Sequence, residues 1–224
     1  PSGKTTLLGR APLPDPPDVM AFKAREMLRQ FGYTEEPVDT AYFFANSGAL
    51  TSYQRYVRDH DFDHRWERLA SHQPGLIVFV YRQHQDYFQS RLFNPFGLGW
   101  ITRDDPPVNA RGMVRIILNA SGALEHLEAR PSQALSGTAG RLALAATTGD
   151  WSGLLIAAGL DAARFKPSQP DAQAFVPVYA DSRMAWTGSY AEGRPDAIRV
   201  EAASLDGRPV FFSIEGPWQT QEYA

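Results

Sequence analysis

Two histidines in the first half of the chain stand close enough to share a metal ion. The segment Asp59-His60-Asp61-Phe62-Asp63-His64 spaces them four residues apart, which on a helix would bring both imidazoles to one face beside carboxylates. Arginines flank this segment on both sides: Arg55, Arg58, Arg65 and Arg68. Since no third ligand can be nominated, the pattern favours a solvated helix face or a helix-capping turn with local ion pairs over a metal site.

Other catalytic patterns are incomplete. Pro1-Ser2-Gly3-Lys4-Thr5-Thr6 resembles the end of a phosphate-binding loop, but the first glycine of that motif is missing and no helical pattern follows. There is no Gly-x-Ser-x-Gly sequence, and the absence of cysteine excludes thiol nucleophiles, Cys-ligated metals and disulfides. We therefore expect no catalytic residues, no cofactor and no metal.

Aromatic side chains on predicted strands are the best candidates for binding. Tyr81, Trp186 and Trp218 lie in or beside such strands, where a ring either packs the core or lines a ligand groove. Arg82 ends an otherwise apolar strand, so we expect it to pair with Asp181 or to anchor an anion. The sequence predicts a ligand site formed by Tyr81, Arg82, Trp186 and Trp218, with core packing of the rings as the competing interpretation.

The elements that would position these residues begin after a proline-rich lead-in, residues 1–17. Apolar residues then recur at helical spacing from Asp18, the expected N-cap, to Gly32, the expected stop. The other elements of this half are two strands, a helical stretch and a hairpin: 38–46, 75–83, 50–70 and 113–129.

The second half repeats this order in shorter form. Small and polar residues at 132–149 predict a linker, after which Asp150 caps a helix that stops near Gly159. The segment 174–190 predicts one or two strands. The hairpin at 197–215 has Asp206-Gly207 as a two-residue type I′ turn.

These elements predict an α+β fold of two similar units, 18–131 and 150–218, followed by a tail at 219–224. Each unit has a helix that covers its own antiparallel sheet, and the first carries an inserted helix and strand. The pattern resembles the small PepSY-type modules of bacterial envelope proteins. We expect two sheets, with the hairpins 113–129 and 197–215 in corresponding places.

The composition of the chain limits the classes of partner that it is expected to bind. A formal net charge of -3 and a pI near 6.0 give no broad attraction to phosphate backbones, so we expect no nucleic-acid binding. No stretch approaches the ~20 apolar residues that a membrane span requires. With 43% hydrophobic residues the chain can bury a full core, as one large domain or two small ones.

Several longer segments follow one another in an order specific to one family. They are AREMLRQFGYTEEPVDTAYFF, RWERLA, the strand ending VYRQ, GMVRIILNASGALEHLEARP, DWSGLLIAAGLDAARFKPSQP, VYADSRMAWTG and GRPVFFSIEGPW. This series, which covers nearly everything after Pro16, resembles the extracytoplasmic sensor region of acidobacterial-type transmembrane serine/threonine protein kinases and related signalling proteins.

The resemblance implies a non-catalytic region on the periplasmic face of the inner membrane. Membrane segments would flank it outside this chain, with a kinase or another output module in the cytoplasm. The resemblance supplies no catalytic residue and no ligand, so the expected partner is an unidentified small molecule or peptide, and a second copy of the chain is a further candidate. The alternatives are an envelope metal-dependent hydrolase that uses the Asp59–His64 cluster and a propeptide-like interaction module.

Overall fold

The computed structural model describes residues 13, 15–91, 99–132, 151–170, 179–192, 194 and 196–219. Most of the expected lead-in, the linker beyond Ser132, Asp150, the first part of the 174–190 segment and the tail beyond Gln219 lie outside the described residues. Within them, one antiparallel sheet and several helices form the fold. The α+β class predicted from the sequence is confirmed.

Eight strands build the sheet: β1 Asp39–Asn46, β2 Ile77–His84, β3 Met113–Asn119, β4 Leu124–Arg130, β5 Lys166–Ser168, β6 Ser182–Gly188, β7 Ile198–Leu205 and β8 Arg208–Glu215. The α-helices in the described part of the chain are α1 Pro17–Gln30, α2 Leu50–His60, α3 Arg65–Ala70 and α4 Ser152–Ala157. Short 3-10 turns occur at Ala162–Arg164 and Pro217–Gln219.

The strand order is β1-β2-β3-β4-β8-β7-β6-β5, and every neighbouring pair is antiparallel. The expectation of two separate sheets is therefore wrong. Strands β4 and β8 are the last strands of the two halves, and each would leave one edge of its half without hydrogen bonds. The two strands pair with each other through these edges. The hairpins β3–β4 and β7–β8 consequently lie side by side at the centre of a single sheet.

Local sequence signals account for most element boundaries. The type I′ turn between β7 and β8 is confirmed, since Asp206 and Gly207 both have positive φ angles, 50° and 74°. Helix α1 begins two residues earlier than expected, with Pro16 instead of Asp18 as N-cap and Pro17 at the first helical position, which proline favours. Asp18 therefore lies in the first turn, and Gly32, at φ 90°, ends the helix as predicted.

One face of the sheet packs against the helices. Met20, Ala24 and Leu28 of α1 recur every four residues and are buried, as periodic packing on a sheet requires. A single apolar cluster joins α1, α2 and α4 to strands from both halves of the sheet. A buried ion pair between Arg68 of α3 and Asp196, which precedes β7, also joins the halves.

The other face of the sheet is more polar, and the loop 99–112 covers part of it. Arg82 on β2 donates to the carbonyl oxygens of Thr102, at 2.7 Å, and Pro106. Arg130 on β4 donates to the carbonyl oxygen of Val108 at 2.7 Å. These arginines satisfy loop carbonyls that would otherwise lack partners over a sheet face.

Candidate functional site

The structure does not bring the four sequence-predicted ligand residues together. Tyr81 and Trp186 lie in the core under the helices, where Trp186 meets Trp151 edge to face at 6.0 Å. Arg82 follows Tyr81 on the strand and so points to the opposite face of the sheet. Of the four, Trp218 alone lines a described cavity, and its ring also packs against Tyr53 at 4.7 Å.

Arg82 holds the covering loop in place. Besides its two bonds to carbonyl oxygens, its guanidinium lies over the ring of Phe88, 5.2 Å from the centroid. The expected pairing with Asp181 is wrong, because Asp181 accepts a hydrogen bond from the backbone amide of Asp206 at 2.7 Å. Burial lowers the pKa of Arg82 to about 10, which leaves it charged at neutral pH.

A groove of about 370 Å³ opens on the polar face. It lies beside the start of β4 and the end of β8, the two strands that pair at the centre of the sheet. Strands form its floor, while Arg103 and Asp104 of the covering loop and the turn after β1 form its sides. Its apolar surface comes from Val78, Ile117, Phe211, Ile214 and Trp218. Its polar residues include Arg115, Glu125, His126 and Ser213. A second hollow, of about 580 Å³, opens largely among exposed loop residues such as Asp86 and Gln89.

A β-bulge directs two consecutive polar residues into this groove. Ile117 pairs with His126 and Leu118 pairs with Leu124, so Glu125 is an extra residue on β4. Glu125 and His126 both line the groove as a result. The sequence carries a signal for this bulge, because a regular strand would not place two polar residues between Leu124 and Leu127 when both leucines are buried.

Burial shifts the ionisation of both groove residues towards their neutral forms. Removal from water raises the pKa of Glu125 to about 7, although its Oε1 accepts a hydrogen bond from the Gly75 amide at 3.0 Å. Removal from water, and then the positive charge of Arg115, lower the pKa of His126 to about 3. At neutral pH His126 is therefore uncharged, and its ring packs edge-on against Phe211 at 5.7 Å.

Arg115 is already committed to protein partners. It donates to Glu128 at 2.6 Å, to Asp104 at 2.6 Å and to the carbonyl oxygen of Arg103 at 2.8 Å. These bonds fix one wall of the groove and balance the guanidinium charge. Arg115 therefore shapes the groove, and a ligand would not need to neutralise it.

The groove holds polar atoms whose bonding capacity is unused. His126 Nε2 and Ser213 Oγ are both sealed from solvent and have no hydrogen-bond partner among the described residues. A serine nucleophile needs its base within hydrogen-bond reach, and these two side chains do not bond to each other. A histidine with a pKa near 3 is also a poor base at neutral pH. The arrangement suits ligand hydrogen bonding better than nucleophilic chemistry.

The Asp59–His64 cluster does not form the metal site weighed as an alternative. Helix α2 ends at His60, so His60 and His64 do not share a helical face. His60 Nδ1 lies 3.0 Å from the carbonyl oxygen of Tyr56, while His64 Nδ1 pairs with Asp61 at 2.9 Å. Asp59 pairs with Arg58 at 2.8 Å. Among the described residues, no three His, Asp or Glu side chains come together as metal ligands.

Comparison with known proteins does not assign this chain to a family. No protein-family model, curated protein or solved structure matches it. None of the helices in the described part of the chain is long and apolar enough to cross a bilayer. The groove and the sequence segments quoted above are therefore the features that indicate a function.

Proposed function

We propose that this chain is a non-catalytic, ligand-binding sensor region of a membrane-anchored bacterial signalling protein. The observation that carries the proposal is the groove at the β4·β8 pair. It combines an apolar wall with two buried polar atoms, His126 Nε2 and Ser213 Oγ, that have no hydrogen-bond partner in the described part of the chain. Ligand pockets typically set a few orienting polar groups in a mainly apolar lining.

The ligand that fits this groove is a small molecule or an extended peptide with an uncharged polar group. Both atoms are sealed from solvent in this structure, so a ligand would reach them after a side-chain rotation towards the groove. Neutral His126 and the hydroxyl of Ser213 could then exchange hydrogen bonds with an amide, a carbonyl or a hydroxyl. Both arginines of the groove are already paired, Arg103 with Asp104 and Arg115 with Asp104 and Glu128, so they offer a strongly anionic ligand no unpaired cation. Nucleic acid is not favoured, because neither the net charge nor this groove offers a set of unpaired cations.

The position of the groove suits a sensing role. It lies where the two halves of the sheet meet, so a ligand bound there contacts both β4 and β8. A ligand shifts a conformational equilibrium by the difference between its affinities for the two states. If the two halves move relative to each other during signalling, a ligand that contacts both halves would bind one arrangement more tightly than the other.

The strand order supports the finer architecture of two PepSY-like units. Strands β1 to β4 and β5 to β8 lie in mirrored order about the β4·β8 pair, as two copies of one four-stranded unit would if they met at their last strands. Helices α1 and α4 precede the first strand of each half. On this interpretation the addition to the first unit is the α2–α3 segment between β1 and β2. The strand that the sequence analysis counted as part of the insertion, β2, corresponds instead to β6.

The cellular setting follows from the sequence resemblance. We place the chain at the periplasmic face of the inner membrane, with the membrane segments and a serine/threonine kinase domain elsewhere in the full-length protein. The neighbouring coding sequence tests this directly: it is expected to encode a membrane span adjoining the chain and a cytoplasmic output module. Reporter fusions that are active only in the periplasm are expected to be active when joined to this chain. Neighbouring sequence that encodes only water-soluble enzyme domains would contradict the assignment.

A further inference from the structure

The edge strand β1 carries unused backbone hydrogen-bonding groups along its whole length. The amide of Ser47, just after β1, donates to the carbonyl oxygen of Leu76. Together with the register, this bond shows which residues of β1 direct their backbone groups towards β2. The odd-numbered residues of β1 therefore bond to β2. Thr40, Tyr42, Phe44 and Asn46 direct their amide and carbonyl groups outward, where no described residue pairs with them.

The two edges of the sheet differ in how they are protected. The opposite edge strand, β5, has three residues and contains Pro167, two features that prevent further strand pairing. Strand β1 has eight residues, DTAYFFAN, with no proline, no lysine and a single charge, at Asp39. Long edge strands with little charge and several apolar residues are competent to pair with another strand.

Exposed apolar side chains continue this surface onto helix α1. Tyr42 is 40% exposed, and its hydroxyl donates to Asp18 at 2.7 Å, which locates the first turn of α1 beside the edge. Phe22 lies one turn after Asp18 on the same face and is 57% exposed. Val38, just before β1, is 53% exposed. An open strand and an apolar helix face at one edge form a surface larger than the strand alone.

We propose that this edge pairs with the β1 strand of a second copy of the chain, antiparallel and about a two-fold axis at Phe43. Tyr42 would then lie opposite Phe44 of the second copy, and Thr40 opposite its Asn46. This register brings the four outward-facing residues of each copy into hydrogen-bonded pairs. A two-fold contact uses the same patch on both copies, as most soluble homodimers do.

The charge pattern favours a second copy as the occupant. In the two-fold register the two Asp39 residues lie at opposite ends of the paired strands, and Asp39 faces the uncharged Ser47 of the other copy. No like charges meet across the strands, although each chain is acidic overall. Aromatic pairs occupy the centre, where cross-strand packing contributes most. The result would be one continuous sheet through both copies.

Sedimentation of the intact chain over a range of micromolar concentrations tests the proposal. We expect a reversible monomer–dimer equilibrium. Thr40→Pro together with Asn46→Pro removes two outward amides, keeps every bond to β2, and is expected to weaken the dimer at least about tenfold. The matched control, Thr40→Ser with Asn46→Ser, keeps both amides and is expected to dimerise like the parent. Far-ultraviolet circular dichroism checks that each variant is folded.

A cysteine variant tests the register itself, since the chain contains no cysteine. Phe43→Cys places one thiol on the two-fold axis, so mild oxidation is expected to link two copies. Val38→Cys, which is more exposed, would lie roughly 33 Å from its counterpart and is expected to remain unlinked. A parent that stays monomeric at high micromolar concentration would overturn the proposal. So would a dimer that survives the double proline change or links equally through either cysteine.

Discussion

His126 lies directly opposite Ser213 across the β4·β8 pair, and neither His126 Nε2 nor Ser213 Oγ has a hydrogen-bond partner among the described residues. The two residues belong to different halves of the chain and meet only because β4 and β8 join the halves into one sheet. Burying such groups without partners costs roughly 1–3 kcal/mol each. A ligand that satisfies both would recover this energy and contact both halves at once.

Arg82 is expected to matter for stability through the loop 99–112. Arg82→Ala leaves the carbonyl oxygens of Thr102 and Pro106 without their donor, so we expect a loss of about 3 kcal/mol in the free energy of unfolding and faster proteolysis within the loop. Arg58→Ala, at an exposed position, is the control and is expected to stay within about 0.5 kcal/mol of the parent. Urea unfolding and limited proteolysis measure both effects. Unchanged stability and cleavage would show that the loop is held by other contacts.

Trp186 is expected to behave as a core residue. Its side chain is 6% exposed and packs against Trp151, so Trp186→Ala is expected to cost about 3–5 kcal/mol. Trp100, 69% exposed, is a control of the same residue type, and Trp100→Ala is expected to cost less than about 0.5 kcal/mol. If thermal melts show equal losses for the two variants, the described packing of Trp186 is wrong.

Glu125 is expected to make the parent less stable as the pH rises. Its pKa is about 7 in the folded chain against an ordinary pKa of 4.5, so the folded state holds the proton more tightly. The stability linked to that proton is present below pH 4.5 and is lost as the pH rises through 7. The difference corresponds to about 3 kcal/mol.

Glu125→Gln keeps an oxygen acceptor for the Gly75 amide but cannot ionise. We expect the variant to gain stability relative to the parent between pH 5 and pH 8, as measured by urea unfolding at both values. His126 is present in both proteins, so its own titration largely cancels in this comparison. If the parent and the variant differ by the same free energy of unfolding at pH 5 and at pH 8, the pKa of Glu125 is not raised.

The fold was predictable wherever one segment carried its own signal. The Asp206-Gly207 turn and the alternation in both hairpins need only local sequence, and the structure has these elements at the expected places. The single sheet was not predictable in this way. It depends on the pairing of β4 with β8, strands that are far apart in the chain and whose exposed edges carry no distinctive residues.

The groove was missed for a related reason. The two polar residues between Leu124 and Leu127 signal the bulge, but not that Glu125 and His126 line a groove. Ser213 comes beside them only because β8 pairs with β4. Arg82 was singled out correctly as unusual, but its partners are backbone carbonyl oxygens, which no side-chain pattern reveals. Tyr81 and Trp186 are buried because their positions on the strands turn both rings towards the face that the helices cover. The competing interpretation, core packing, therefore fits these two rings.

The histidine segment is expected to bind no metal in solution. His64 pairs with Asp61, which raises the pKa of the imidazole and favours the protonated form that cannot coordinate a metal. Elemental analysis of chelator-free protein is expected to find no stoichiometric zinc. One equivalent of zinc that disappears when His60 and His64 are both changed to alanine would restore the hydrolase hypothesis.

The central claim is that the groove at the β4·β8 pair binds the sensed ligand. Gly48 is exposed at the side of the groove, and the nearest atoms to a new Cβ there belong to the guanidinium of Arg103, a side-chain end that can shift, so Gly48→Trp should fold and fill the groove. Gly153 on α4 has open space around it, and Gly153→Trp is the matched control. The most direct measurement is a thermal-shift screen of small molecules and short peptides against the parent and both variants. We predict compounds that raise the melting temperature of the parent and of Gly153→Trp but not of Gly48→Trp. Compounds that stabilise all three proteins equally would place the sensing surface elsewhere and contradict the account.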